Sequence, residues 1–150
     1  RYIMISLKDL QVMWVEDCKI DELNLGKEST KTPELHAKYL NHLSTAKLQY
    51  RKAETSLIKL KRIKSQYFRG ELSRQELEAL GWEQYLGNKP LKSDMHEYLE
   101  SDDDIIQQTD KLEYIGTVVD YLERVLRAVQ GRGWDIKNSI EWTKFTNGLM

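Results

Sequence analysis

Apolar residues recur along most of this chain at alternating intervals of three and four, the spacing of one face of an α-helix. In the stretch "LKDLQVMWVEDC" at 7–18, this spacing predicts a short amphipathic helix whose apolar face holds Leu7, Leu10, Met13 and Trp14. The segment "NLGKESTKTPE" at 24–34 is polar and contains a glycine. We interpret it as a linker.

A long helix is predicted over 33–70. Thr32 offers a hydroxyl N-cap, and Pro33 suits the first helical position. A near-heptad seam follows, which is typical of a helix packed on another long helix: Leu35, Tyr39, Leu43, Ala46, Tyr50, Ala53, Leu57 and Leu60. Gly70 is a natural end. At about 1.5 Å per residue the helix would extend on the order of 55 Å, so we expect a hairpin partner or other subunits.

Shorter elements are predicted after the long helix. Ser73 and Glu76 have the spacing of a capping box, and Gly81 closes the helix that they open. Another helix is expected to begin near Asp102–Asp104, because negative charge stabilises a helix N-terminus.

That C-terminal helix has a wide apolar face. Its seam repeats every three or four residues: Leu112, Ile115, Val119, Leu122, Leu126 and Val129. Val118, Tyr121 and Val125 widen the face beyond what one partner helix needs, which favours self-association. We expect "GRG" at 131–133 to end the helix, and Asp135 to cap a last one that carries Trp142 and Phe145.

Composition agrees with an all-α protein. The chain has 150 residues, 31 % of them charged, and two prolines. We therefore predict one all-α unit of long amphipathic helices, a hairpin or bundle with an extended rod. Cys18 is the one cysteine, so no intrachain disulfide forms, which fits a reducing cytosol. We expect neither a membrane span nor a signal segment.

Charge is segregated along the chain. Residues 47–70 hold eight basic residues and one acid, a net of +7, whereas residues 71–104 hold ten acids and three bases, a net of −7. Two partners could offset the basic run: the acidic segment, of the same or another subunit, or a polyanion. Aromatic residues lie among and near the bases, and bases with stacking rings are what single-strand binding requires.

Nucleic-acid binding is therefore our first hypothesis, and a helical scaffold whose acidic and basic segments pair between subunits is the alternative. The candidate DNA-binding residues are Lys59, Lys61, Arg62, Lys64, Tyr67 and Arg69. The heptad position of Tyr50 favours a packing role for that ring instead.

No catalytic motif is recognised. "GKES" at 26–29 lacks the other residues of a phosphate-binding loop, and "GRG" lacks a third glycine. The three histidines lack the spacing of metal ligands on one helix face. The run Asp102–Asp104 is better explained as a solvated helix start than as a cation site. These observations argue against an enzyme, and we expect no cofactor and no bound metal.

Three blocks of sequence resemble the UvsY family, the recombination mediator proteins of T-even-type bacteriophages. They are "LKDLQ" with "DCKID" at 7–21, "KYLNHLS" with "LKRIKSQYFRG" at 38–70, and "LEYIGTVVDYLERVLRAVQGRGWDIKNSIEWTKFTNG" at 112–148. Their order and spacing carry the resemblance, since none of them is a catalytic signature. The segment 73–92 departs from the best-known member.

The resemblance implies a specific function. Such proteins are not enzymes: they form ring-shaped homo-oligomers, bind single-stranded DNA, and help load a phage RecA-like recombinase onto DNA covered by the phage single-stranded-DNA-binding protein. They act in the cytoplasm of the infected bacterial host. The family's basic DNA-binding pair falls on Arg62 and Lys64. We therefore expect 33–70 to bind DNA and, from the charge pattern, 71–103 to be an acidic connection, while the resemblance implies that 104–148 holds the oligomer together.

Overall fold

The computed structural model describes residues 4–148, and within that range every regular element is an α-helix. Five helices follow one another: α1 (Leu7–Asp17), α2 (Leu25–Phe68), α3 (Arg74–Leu80), α4 (Met95–Glu100) and α5 (Asp103–Thr146). The all-α prediction is confirmed. The chain divides into two compact units, the first from residues 4–49 with 115–148 and the second from Tyr50–Tyr114.

The start of α2 differs from the prediction, because the supposed linker is helical. The helix begins at Leu25, so Pro33 lies inside it rather than at its first position. Pro33 cannot donate to the carbonyl four residues earlier, a cost that normally ends a helix. Here the preceding turns are fixed by Glu28, whose side chain is only 4 % exposed and binds Arg132. The tertiary contact between Glu28 and Arg132 thus outweighs the helix-breaking tendency of Pro33.

The end of α5 also differs. The helix continues through Gly131 and Gly133 to Thr146, so the predicted break at "GRG" and the separate last helix are both wrong. Each glycine costs a helix about 1 kcal/mol relative to alanine. Buried residues on both sides offset that cost: Val129 is fully buried and Ile136 is 2 % exposed. Arg132, between the glycines, is itself buried.

The core of the first unit joins α1, α2 and α5. The seam residues Tyr39, Leu43 and Ala46 of α2 are buried there, as the spacing predicted. The other buried members of the core are Leu10, Val118, Leu122, Val125, Leu126 and Val129. Ser6 caps α1 by accepting a hydrogen bond from the Asp9 amide at 3.1 Å. The predicted short helix at 7–18 is therefore confirmed, and it lays Leu10 in this core.

The second unit contains the last part of α2, both short helices and the start of α5. Ala53, Leu57 and Ile105 are its buried apolar residues. The capping box between Ser73 and Glu76 is confirmed, with both reciprocal hydrogen bonds present. Helices α2 and α3 are each followed by a left-handed glycine, Gly70 at φ +71° and Gly81 at φ +72°, as predicted.

Candidate nucleic-acid interface

One face of α2 in the second unit carries exposed, unpaired cations. Lys52, Lys59 and Arg62 are exposed, and none of them forms an ion pair within residues 4–148. Their spacings of seven and three residues place them on one side of the helix. We call these three residues the basic face.

Two other predicted contacts lie on the opposite side of the helix. Lys61 and Lys64 each follow a basic-face residue by two positions, a rotation of about 200° at 100° per residue. The Lys61 ammonium lies 3.6 Å from a Glu100 carboxylate oxygen and its side chain is 41 % exposed. Lys64 is 7 % exposed.

Lys64 is held by an acidic pair at the start of α5. Its Nζ lies 3.1 Å from Asp102 Oδ1 and 2.8 Å from Asp104 Oδ2. Burial by itself lowers the pKa of Lys64, but hydrogen bonds to the two aspartates and their negative charges outweigh it, so the pKa is raised. Lys64 was predicted to contact DNA, yet the fold gives its charge an intrachain partner.

Pairing between the acidic and basic segments therefore occurs within one chain at Lys61 and Lys64. Helix periodicity, applied more strictly, would have separated these two from Lys59 and Arg62, and would have added Lys52 to the candidates. The charge pattern indicated that the acidic segment could offset the basic run, but it did not show that Asp102 and Asp104 pair with Lys64, because only folding brings α5 beside α2 within this unit.

The rings near the end of α2 form a cluster. Tyr67 lies at its centre, with centroids 5.6 Å from Phe68, 5.3 Å from Trp82 and 5.6 Å from Tyr85. The Tyr67 hydroxyl donates to the Glu83 carbonyl at 2.7 Å. Tyr67, predicted to stack on bases, is thus half-buried among other rings and anchors the loop after α3.

Arg69 ends the basic run. It is exposed, and its Nε lies 2.7 Å from Glu71 Oε2. Because that pair is open to solvent, it contributes little stability, and Glu71 can give way to a phosphate.

Comparison with known proteins decides the family. A family model described as "Recombination, repair and ssDNA binding protein UvsY" matches residues 13–149. The chain belongs to the UvsY family. It is 27 % identical over 144 residues to the recombination protein UvsY of Enterobacteria phage T4, covering 96 % of this chain and 99 % of that protein.

Solved structures of UvsY from bacteriophage T4, described as a recombination mediator protein, share this fold. One crystal form superposes with a TM-score of 0.82 at 25 % identity, covering 95 % of this chain and 98 % of that one. Another gives a TM-score of 0.76 at 25 % identity, covering 92 % and 98 %. The resemblance to the UvsY family stated from the sequence is confirmed.

The residues assigned to oligomerisation fall into three groups in this UvsY-family chain. Four of them are buried in the chain itself: Ile115, Leu122, Leu126 and Val129. Packing inside one chain therefore accounts for their spacing, without a second subunit. Leu112 and Val119 are half-buried. Trp142 and Phe145 are 66 % and 64 % exposed and stack on each other with centroids 5.9 Å apart.

Within the described range of this UvsY-family chain, no helix is long and apolar enough to cross a membrane. Residues 4–148 also contain no group of three or more His, Cys, Asp or Glu side chains arranged to hold a metal ion. The acidic pair at Asp102 and Asp104 binds Lys64 instead.

Proposed function

We propose that this protein binds single-stranded DNA as a recombination mediator and acts without a catalytic step. The observation that carries the proposal is the basic face, three exposed cations on one side of α2 that form no ion pair with any described residue. Phosphates are the partners that such a face attracts, and their binding releases counterions. The family description, which includes single-stranded-DNA binding, supports the same conclusion.

The protein would act as a ring-shaped homo-oligomer. Exposed Trp142 and Phe145 near the end of α5 offer an apolar surface to a second copy. One basic face supplies few phosphate contacts, so a single chain would bind weakly. A ring repeats the face, and avidity multiplies its effect without new contacts.

The mediator role follows from binding a strand at many points. A strand held by several subunits loses contacts with the single-stranded-DNA-binding protein that covers it, and it is presented to a RecA-like recombinase. The shift can be no larger than the difference in binding free energy between the two DNA states. We expect these partners, and action in the cytoplasm of the infected bacterium, because of the resemblance to the UvsY family. The description of the T4 relative as a recombination mediator supports them.

Affinity for a short single-stranded oligonucleotide tests the proposal. The double variant Lys59→Ala/Arg62→Ala should bind on the order of ten-fold more weakly at ~0.1 M salt, because two phosphate contacts per subunit are lost. Lys8→Ala is the matched control, since Lys8 is an exposed lysine on α1. Equal affinity of the double variant and the control would contradict a DNA-binding role for the basic face.

A further inference from the structure

A groove lies in the second unit, beside the end of α2. Its volume is about 620 Å³, which is in the range of small-ligand sites. Three rings line it, Tyr67, Trp82 and Tyr85, together with two cations, Arg74 and Lys89. Neither the candidate residues from the sequence nor the basic face includes Trp82, Tyr85 or these cations.

The ring walls of the groove are held in place before any ligand binds. The amide of Trp82 donates to the Leu77 carbonyl at 3.0 Å, next to the left-handed Gly81, which fixes the backbone where the indole projects. The Tyr85 hydroxyl donates to the Asn88 carbonyl at 2.7 Å. A Cβ on Gly87 would lie 2.5 Å from that hydroxyl, so only glycine lets the Tyr85 ring fold back here.

The ring hydroxyls that could bind a sugar or a phosphate are therefore occupied. Tyr67 donates to a backbone carbonyl, as Tyr85 does. The Lys64 ammonium lies 4.4 Å from the centroid of the Trp82 ring and covers one of its faces. The chemistry left to the walls is that of the remaining ring surfaces and of the Trp82 indole N–H. Such surfaces suit a flat heterocycle.

Two cationic side chains, Lys89 and Arg74, lie at the edge of the same groove. A Cβ on Gly70 would lie 3.2 Å from Lys89 Cε, so the Lys89 stem rests on the end of α2. Lys89 is exposed and has no ion pair within the described residues. Arg74 lies 3.6 Å from Glu78, the carboxylate among the lining residues, and both side chains are mostly exposed. Lys89 is thus the cation that an anion can reach without competition.

We propose that this groove is a subsite for one nucleotide of a single strand, with the base on Trp82 and Tyr85 and the phosphate on Lys89. The inference rests on the proposed function and deepens it. Helix α2 ends at Phe68, six residues after Arg62 and about 9 Å along the helix axis at 1.5 Å per residue, and Gly70 of the groove follows two residues later. Trp82 of the groove contacts Lys64, on the other side of α2 from the basic face. A strand that passes from the basic face around the end of α2 would therefore place its next nucleotides in the groove.

Two oligonucleotides of equal length and charge separate the subsite from simple phosphate binding. One carries thymine on every sugar, and the other is abasic throughout. The wild-type protein should bind the thymine strand on the order of five-fold or more tightly, because stacking needs bases. Equal affinity for both strands would overturn the subsite and leave the proposed function standing. Failure to bind either strand would overturn the proposed function.

Variants locate the base contact. Trp82→Leu should lose the preference for the thymine strand and keep its affinity for the abasic strand. Phe68→Leu is the matched control, since Phe68 belongs to the ring cluster but does not line the groove. Lys89→Gln, at an exposed position, should weaken binding of both strands. An unchanged preference in Trp82→Leu would overturn the assignment.

Crosslinking tests the site in the unaltered protein. A strand carrying 5-iododeoxyuridine should crosslink on irradiation to peptides containing Trp82 or Tyr85, as mapped by mass spectrometry. Crosslinks confined to Trp14, Trp134 or Trp142 would overturn the subsite, whatever binding the Trp82→Leu variant shows.

Discussion

Arg132 and Glu28, 104 residues apart in the chain, form an ion pair that is buried on both sides. Arg132 Nη2 lies 2.6 Å from Glu28 Oε2, and each side chain is 4 % exposed. The guanidinium also donates to the Glu28 carbonyl and, at 3.0 Å, to Thr32 Oγ1. This pair links the first turns of α2 to the glycine-flanked part of α5, where the sequence predicts non-helical chain.

Arg132→Met should therefore destabilise the fold. Removing Arg132 leaves the buried Glu28 carboxylate with Lys31 as its remaining ion-pair partner, at 2.7 Å. Because the hydrogen bonds from the guanidinium are still lost, the free energy of unfolding should fall by about 1–3 kcal/mol. Urea unfolding followed by circular dichroism measures the change. Arg124→Ala is the control, since its pair with Asp120 is exposed and should cost under about 1 kcal/mol. Similar losses in both variants would contradict the structural role of Arg132.

Combining the two replacements should recover stability. The Arg132 Nε has no hydrogen-bond partner among the described residues, so the cost of removing this N–H from water is not compensated. The double variant Glu28→Leu/Arg132→Met should be more stable than Arg132→Met alone, in the same urea experiment. An additive loss would show that Glu28 contributes independently.

Arg62 and Lys64 should separate DNA binding from stability. Arg62→Ala should weaken single-strand binding and leave the urea midpoint unchanged, because Arg62 is exposed and unpaired within residues 4–148. Lys64→Ala should lower the free energy of unfolding by roughly 1–3 kcal/mol, because it leaves the Asp102 carboxylate, whose side chain is 13 % exposed, without its ion-pair partner. Affinity for an oligonucleotide and urea unfolding are measured on both variants. If Lys64→Ala is as stable as wild type but binds DNA weakly, Lys64 is a DNA contact and the structural role assigned to it is wrong.

Neutralising Asp104, one member of the acidic pair, should tighten DNA binding. Asp104→Asn frees part of the Lys64 charge, so affinity for an oligonucleotide should rise several-fold at low salt, and this gain should shrink as salt increases. Asp103→Asn is the matched control, because it removes the same charge at the neighbouring position and Asp103 forms no ion pair within the described range. Equal gains in both variants would indicate a general field effect rather than release of Lys64.

Assembly should depend on the exposed rings at the end of α5. Trp142→Ala/Phe145→Ala should lower the mass measured by light scattering, because the stacked pair would no longer bury apolar area against a neighbour. The slope of log affinity against log salt should become shallower too, since each neutralised phosphate contributes about −0.7. Leu23→Ala, at a residue 92 % exposed, is the control. An unchanged mass would place the interface elsewhere.

Acid should weaken the contact between α1 and α2. Burial raises the pKa of Asp17, but hydrogen bonds from Lys38 and Tyr39 and the charge of Lys38 outweigh it, so the pKa lies below its ordinary value of 3.8. The stabilisation is thus complete above pH 3.8 and is lost as the pH falls through the lower folded-state pKa. Thermal melts should show wild type more stable than Asp17→Asn at neutral pH, with the gap closing below about pH 4. Asp110→Asn, at an exposed residue, should show no such gap.

Local signals in the sequence were sufficient for much of the fold. The seam through Tyr39, Leu43 and Ala46 predicted the buried face of α2, because helical spacing alone decides which side chains share a side. Ser73 with Glu76, and the glycines at 70 and 81, marked helix ends correctly. At these helix ends the stabilising hydrogen bonds join residues only a few positions apart, so a short stretch of sequence is enough to predict them.

Contacts between distant residues decided the rest. Pro33 and "GRG" are local breakers, and both lie inside helices because Arg132 meets Glu28, a pairing that no local pattern shows. The same holds for the basic run, where an exposed Arg62 and a buried Lys64 are only two residues apart. Spacing puts these two cations on different sides of α2. Only the position of Asp102 and Asp104 in the folded chain determines which charge is neutralised and which stays open to a phosphate.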